Sequence, residues 1–395
     1  MASDRFRLSP SFPPRRFHHP ACMAMSRLPP VPLRWLGGLV LLVLIGCTTP
    51  GPSAPQRTPQ QIREQITGML PASLPDRAGW AADIQSAFAA LEIEPTTSRL
   101  CAVIAVTQQE SGMTSDPEVP GLPRIVRTEI ERRAGERHIP AFLVRAALQL
   151  RSADGRTYEQ RLQAVRTERD VSRLFDEFIA GVPLGKRLFA DDNPVQTGGP
   201  MQVSIAWSQR HARQRPYPYP AAGSIRDEVF SRRGGMYFGI AHLLDYPVSY
   251  DRMLYRFADF NAGHYASRNA AFQAAVTAAS GIPLALDGDL VLTGRGNVGK
   301  TENAVRTLAG PLGLSPQRIR EQLERGGQHD FERTPLYQAV FRLGEAAAGK
   351  PLPRAVVPAI DLHSPKFTRK LTTEWFATRV DQRYRRCLGS EPIRY

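Results

Sequence analysis

Apolar side chains along this chain recur mostly at helical spacing. Between residues 76 and 91, Trp80, Ile84, Ala87, Phe88 and Leu91 share one face. Leu100, Val103, Ile104 and Val106 form the next stripe, with Thr97 or Ser98 expected as its N-cap. That second helix runs into Gln-Glu-Ser-Gly, so Glu110 and Ser111 stand at its tail, just before the helix breaker Gly112. Further helices are expected over 123–137, over 140–150 with Pro140 in the tolerated first turn, and over 171–180 behind a capping box of Thr167 and Asp170. The periodicity continues over 200–211, 225–246 and 266–279 and, after a looser stretch, over 301–309, 316–325, 335–348 and 372–386. Strand-like alternation is scarce and no repeat has a fixed period. The pattern predicts a mainly α body whose last third either wraps onto it or forms a small appended lobe.

The N-terminus departs from this pattern. Residues 1–22 are rich in Pro, Arg and His without an apolar period, and Met23 or Met25 is a candidate start. Arg27 and Arg34 precede an apolar run of eleven residues, 35–45, too short to span a bilayer but suited to a signal-peptide core. The run ends in Leu44-Ile45-Gly46-Cys47, which resembles a bacterial lipobox and implies a signal peptide over 1–46 with Cys47 as the lipidated first residue. Thr48 follows in place of the Asp that would hold an enteric lipoprotein at the inner membrane, so the outer membrane is the expected location. Residues 47–60 then read as the lipidated Cys and an extended Pro/Ser/Thr tether.

Composition and charge narrow the chemistry. At 395 residues, 42% hydrophobic and 22% charged, the chain can bury a substantial core. The formal charge is +14, and loss of the first 46 residues, with six Arg and one Asp, would leave +9. Such a balance suits an anionic polymer or surface without choosing among nucleic acid, phospholipid and cell wall. The export implied by the signal removes nucleic acid and nucleotides from the expected partners. It also puts Cys101 and Cys387 in an oxidising space, where a bridge between them and two buried thiols are both open readings. The scattered His and lone Cys give no metal-ligand spacing, and no cofactor is expected.

Residues 294–301, GRGNVGKT, fit the phosphate-loop pattern letter for letter, with the strand-like 289–292 before them, and 356–361 could be drawn as a second nucleotide motif. A working phosphate loop joins a parallel strand to a helix within an alternating α/β sheet, and one short candidate strand among helices does not supply that context. A Gly-rich surface turn is the expected reading. Residues 215–220, RPYPYP, form a rigid connector whose Tyr217 and Tyr219 could alternatively stack on a sugar.

Three short patches and a helix carry the candidate chemistry. A carboxylic acid at the end of an apolar helix has its charged form disfavoured and can become a proton donor near neutral pH. Glu110-Ser111 resembles the Glu-Ser pair of the soluble lytic transglycosylases, enzymes with the goose-type lysozyme fold. In the same order, Gly198-Gly199-Pro200-Met201-Gln202-Val203 resembles their Gly-Leu-Met-Gln motif, and 239–244, GIAHLL, stands where they have a Gly-x-x-Tyr-Leu helix. Asp259-Phe260-Asn261-Ala262-Gly263 then resembles their Ala-Tyr-Asn-Ala-Gly. The resemblance implies a lysozyme-like helical domain over 61–285 with a large helical insertion at about 113–197, and a C-terminal helical extension over 286–395. It makes Glu110 the single acid and base that opens the bond between N-acetylmuramic acid and N-acetylglucosamine without water. Ser111, Met201, Gln202, Phe260, Asn261 and Gly263 would bind substrate. Read without the resemblance, Met201 is a core residue and 261–263 a helix-ending turn with Gly263 in the left-handed region.

Two departures bear on catalysis: Pro200 replaces the family's Leu, and Phe260 replaces its Tyr, removing a hydroxyl that Tyr237, Tyr255 or Tyr265 would have to supply. From lipobox to basic C-terminus the chain also resembles the YaiW-like outer-membrane lipoproteins, a family of unassigned function. The expected partners are peptidoglycan glycan strands, the membrane through the lipid on Cys47, and an envelope protein if the groove is a non-catalytic docking site.

Overall fold

Pro59 stands in the first turn of α1 (Pro59–Met69), where its missing N–H has no helical acceptor to lose, and Thr58 forms a capping box with Gln61. The helix thus takes in the last two residues of the segment read as tether. The computed structural model describes residues 57–182, 187, 189, 192–221, 223–292, 297–362 and 371–389. The signal-like run, Cys47 and 47–56 lie outside the described residues.

Helix α2 (Arg77–Ala90) lies against α1, and α3 (Thr97–Ser111) runs through the core with Leu100 to Thr107 all buried. The N-cap of α3 is Thr96, whose hydroxyl accepts from Arg99 N–H at 3.3 Å. The neighbouring hydroxyls expected to cap it bond elsewhere: Thr97 accepts from Gln65 of α1 at 3.1 Å, and Ser98 meets Tyr384 at 2.8 Å.

After α3 the chain makes its long excursion through α4 (Leu122–Glu136), α5 (Ala141–Leu148), α6 (Tyr158–Ala164) and α7 (Glu168–Ala180). Its base is closed by Val119 N–H donating to Arg166 C=O at 2.9 Å. Val126, Leu148, Leu162 and Val171 join the same apolar cluster as α2 and α3, so the excursion packs on the main core. Its outer edge is apolar as well, with Phe142 60% and Leu143 48% exposed.

The helix expected over 200–211 begins later. Residues 197–204 form a hairpin of β1 (Thr197–Gly198) and β2 (Val203–Ser204), antiparallel with Gly198 opposite Val203, and α8 (Ile205–Gln214) follows. Gly199 at φ +73° and Gln202 at φ +48° are incompatible with a helix there. The helix expected over 225–246 is divided. α9 (Ile225–Val229) stops, Ser231 caps a fresh start by accepting from Gly234 N–H at 2.9 Å, and α10 (Arg232–Leu244) runs through the centre of the fold. Arg232 pairs with Asp76 and Asp83, tying the start of α10 to α2.

α11 (Met253–Ala262) and α12 (Ala266–Ser280) follow. A second apolar cluster joins α12 to α13 (Lys300–Thr307), α14 (Ala309–Leu312), α15 (Pro316–Leu323) and α16 (Pro335–Ala348). The buried Glu302 is held there by Arg306 at 2.5 Å and Arg320 at 2.8 Å, which satisfies a charge that would otherwise be costly. Residues 289–292 form no strand, and Thr301 of the phosphate-loop pattern spends its hydroxyl on Asp289 C=O and Gln273. The described sheets are two antiparallel pairs, β1–β2 and β3 (Asp361–Leu362) with β4 (Leu371–Thr372), so the α/β setting of a nucleotide site is absent among the described residues.

The chain ends on α17 (Thr373–Gly389), which packs between α3 and α11 and places Phe376, Ala377 and Val380 in the first cluster. A disulfide joins Cys101 of α3 to Cys387 of α17, with Cα atoms 5.6 Å apart. The boundary drawn at residue 286 does not follow the packing: α12, before it, belongs to the second cluster, and α17, far beyond it, belongs to the first. No described helix is long and apolar enough to cross a membrane.

Candidate functional site

The site is assembled on α10. Its residues Met236, Gly239 and His242, spaced by three, form one ridge of the helix. Met236 receives Thr107 of α3, whose hydroxyl lies 3.8 Å from the sulfur. Gly239 receives Met201, so closely that a Cβ on the glycine would come within 2.4 Å of the Met201 sulfur. His242 receives the ring of Phe260, centroids 5.1 Å apart. The second and third patches therefore reach this helix through the apolar side chains of Met201 and Phe260, and the helix that ends in Glu110 reaches it through the hydroxyl of Thr107.

Why the hairpin seats there follows from its glycines. A Cβ on Gly198 would strike the Phe230 ring at 2.4 Å, and one on Gly199, already at positive φ, would meet Val229 C=O at 2.0 Å. Pro200 lies against Gly235, one helical turn before Gly239, and Met201 is wholly buried. Gly235 and Gly239 thus form a notch in α10 that takes Pro200 and Met201. Gln202 stays at the rim, its amide spanning the hairpin: it accepts from Thr197 hydroxyl at 3.2 Å and donates to Gly199 C=O at 3.3 Å.

Glu110 lies in the last turn of α3, three residues beyond Thr107 and so on the side that faces α10, and it is partly exposed. Ser111 closes the helix end beneath it, donating to Thr107 C=O at 3.1 Å and accepting from Thr114 N–H at 3.2 Å. Gly112 terminates the helix in the left-handed region at φ +62°. Gln109 accepts from Arg383 of α17 at 3.2 Å, bracing the same turn from the other side.

On α11, Phe260 is buried while Asn261 turns to α17, its side-chain oxygen accepting from the Thr373 hydroxyl at 2.9 Å. Gly263 ends the helix at φ +106°, ψ +151°, outside the left-handed helical region expected for a turn glycine. The polar groups of Ser111, Gln202 and Asn261 are thus engaged with their own neighbours, whereas the apolar members of the motifs converge.

Two features carry contacts that the motifs do not indicate. The first is Asp259, fully buried, which accepts from Tyr250 hydroxyl at 2.7 Å and from the Tyr265 and Ser267 N–H groups at 3.0 and 2.7 Å, the latter two at the start of α12. Burial pushes its carboxyl above the ordinary value, against the pull of these hydrogen bonds. The second is a row of rings across α8, α10 and the α11–α12 corner. Tyr246 stacks on His264 at 3.9 Å, His264 on His242 at 4.5 Å, His242 meets Trp207 at 4.7 Å, and Trp207 stacks on His211 at 4.9 Å.

Burial holds all three imidazoles below their ordinary range, His242 down to about 3, where it is opposed by a hydrogen bond to the Phe260 backbone. They are neutral ring surfaces at neutral pH, and the described residues contain no metal-binding group of His, Cys, Asp or Glu. His242 occupies the tyrosine position of the Gly-x-x-Tyr-Leu pattern, the one sequence signal that marks it.

Of the three tyrosines weighed as hydroxyl donors, Tyr237 is wholly buried with its hydroxyl unbonded, Tyr265 lies under the Arg268 guanidinium at 4.3 Å, and Tyr255 pairs with Tyr250. Tyr217 stacks on Phe238 and bonds Glu228 at 2.8 Å, and Tyr219 packs edge-on to Tyr237, so the Pro-Tyr connector is part of the core's edge.

Comparison with known proteins places the chain more firmly than its motifs do. Residues 73–390 match the family model described as "Protein of unknown function (DUF1615)". The chain is 51% identical over 366 residues to "Uncharacterized protein YaiW" of Escherichia coli (strain K12), covering 92% of this chain and 100% of that protein. No solved structure matches it. A family model matched over most of the sequence, and a relative matched over its full length at this identity, make the chain a member of the DUF1615 family and a relative of YaiW.

Proposed function

We propose that this protein is a lipid-anchored, lytic transglycosylase-like protein of the outer membrane, acting on peptidoglycan glycan strands, with Glu110 as the one acid and base and a lysozyme-like arrangement around it. The observation that carries the reading is the α10 ridge, where the stretches bearing Glu110, Met201 and Phe260 meet in the order their motifs require. In this reading Glu110, at the end of a buried helix, gives a proton to the glycosidic oxygen. The same carboxylate then takes one from the 6-hydroxyl of the muramic residue as the anhydro ring closes, so no water enters the product. In the same reading Gln202 of the hairpin and Asn261 of α11 would bind the glycan strand, and Cys47 would carry the lipid that holds the body to the membrane.

The test is loss of turbidity in a suspension of purified sacculi. Parent protein should clear it and Glu110→Gln should not; equal clearing by both would end the assignment of Glu110.

A second reading, a glycan-binding or partner-docking lipoprotein without catalysis, is favoured by one feature. The Phe260 ring is buried against His242 and offers no hydroxyl at the position where the transglycosylases carry theirs. Co-sedimentation with sacculi that neither parent nor Glu110→Gln degrades would select it.

A further inference from the structure

A pocket of about 680 Å3, within the size range of small-ligand sites, lies between the loop after α10, the start of α11 and α16. Two aromatic pairs line it. Tyr250 and Tyr255, both half-buried, lie 5.6 Å apart on one side, and Tyr337 and Phe341, both buried, lie 4.7 Å apart on α16.

The charges inside are already matched. Glu345 is paired with Arg354 at 3.0 Å, and the Arg354 guanidinium lies 3.9 Å over the Phe341 ring. Glu332 accepts from Ser249 hydroxyl at 2.8 Å and faces the buried Arg268 at 3.9 Å. At the rim stand Asp251, Gln338 and Arg342, all exposed, whose side chains make no hydrogen bond or ion pair among the described residues. Gln338 and Arg342 are one helical turn apart on α16 and present their planar groups on the same face.

We propose that this pocket is a second binding site and that it takes a short neutral saccharide. The half-buried rings of Tyr250 and Tyr255 offer apolar contact to the C–H face of a pyranose, while planar amide, guanidinium and carboxylate groups such as those of Gln338, Arg342 and Asp251 each bond a pair of vicinal hydroxyls. A phosphorylated or polyanionic ligand would meet Glu332, Glu345 and Asp251 without a surplus of cations. A hydrocarbon chain would leave the rim groups and the carboxylates unused. The site shares no lining residue with the Glu110 groove, so it does not depend on Glu110 being catalytic.

The experiment is calorimetric titration of the full chain, purified in detergent, with the β-1,4-linked tetramer of N-acetylglucosamine. Binding should be retained in Glu110→Gln and weakened about tenfold or more in the double variant Gln338→Ala/Arg342→Ala, with the thermal midpoint of that variant unchanged because both side chains are exposed and unpartnered. No binding by the parent would overturn the proposal. So would binding that survives the double variant, or binding lost in Glu110→Gln, which would assign the sugar to the α10 groove instead.

Discussion

Gly239 is the residue at which the hairpin and α10 touch, and its lack of a side chain is what lets Met201 lie against the helix. Gly239→Ala would force a Cβ into the space of the Met201 side chain, and overpacking of this kind costs about 1–3 kcal/mol. Chemical denaturation should show that loss, and clearing of sacculi should fall with it because the hairpin bearing Gln202 is displaced. An Ala variant as stable and active as the parent would mean that the notch does not seat the hairpin.

The ring row makes a second prediction at this scale. His211, His242 and His264 titrate below the ordinary imidazole value of 6.5 when folded. As pH falls below that value the unfolded chain takes up protons that the folded chain refuses, so stability is lost progressively towards acid pH. Asp259 acts in the opposite sense, its raised carboxyl favouring the folded state as it protonates. The difference between parent and His242→Phe isolates one imidazole. From about pH 7.5 to about pH 5 the parent should lose about 2 kcal/mol more than the variant in urea unfolding. Parallel pH profiles would contradict the burial of a neutral His242.

Individual residues were unequally legible. Glu110 and Met201 are visible because a helical stripe and a motif point to them. Asp259 and the histidines are not, because a buried polar side chain looks in sequence like any other polar residue, and its meaning comes from groups far along the chain such as Ser267 and Trp207.

Helices α2, α7 and α16 follow the apolar spacing closely, since each has apolar residues at helical spacing and a capping side chain at its start, Asp76, Thr167 and Thr334. The elements that break the expectation are those decided by backbone conformation. Strands of two residues leave no alternation to read, and Gly199 and Gln202 turn the chain where the apolar pattern continues into α8. The division of α9 from α10 is marked by Ser231, a cap between Phe230 and Arg232 that reads equally well as a polar position on one continuous helix.

α17 is the element whose role the sequence leaves most open. Its place beside α3 is fixed by Phe376, Val380 and the bond from Cys387 to Cys101, closing a loop of 286 residues. Because so long a loop loses much of its freedom on closure, Cys101→Ala/Cys387→Ala should lower the unfolding free energy by about 2–5 kcal/mol. Scanning calorimetry of the oxidised parent and the variant reads this directly, and equal midpoints would show that α17 is held by packing alone.

On the scale of the whole molecule, two apolar clusters carry the described chain, the first gathering α1 to α11 with α17 and the second gathering α12 to α16. The mainly α class was readable from periodicity. The interleaving of the clusters was not, because it depends on where the last helix returns, and that information lies in long-range contacts rather than in local pattern. Met201 and Phe260 belong to the first cluster, and Tyr337 and Phe341 of the tyrosine-lined pocket belong to the second, so the two proposals are tested on separate sets of residues.

The central claim is that Glu110 cuts glycan by internal ring closure, and the mass of the released fragments tests it most directly. Residues 48–395, incubated with purified sacculi and analysed by mass spectrometry, should release anhydro-ended muropeptides that disappear in Glu110→Gln. Fragments heavier by one water, or anhydro ends that persist without the Glu110 carboxylate, would contradict the account.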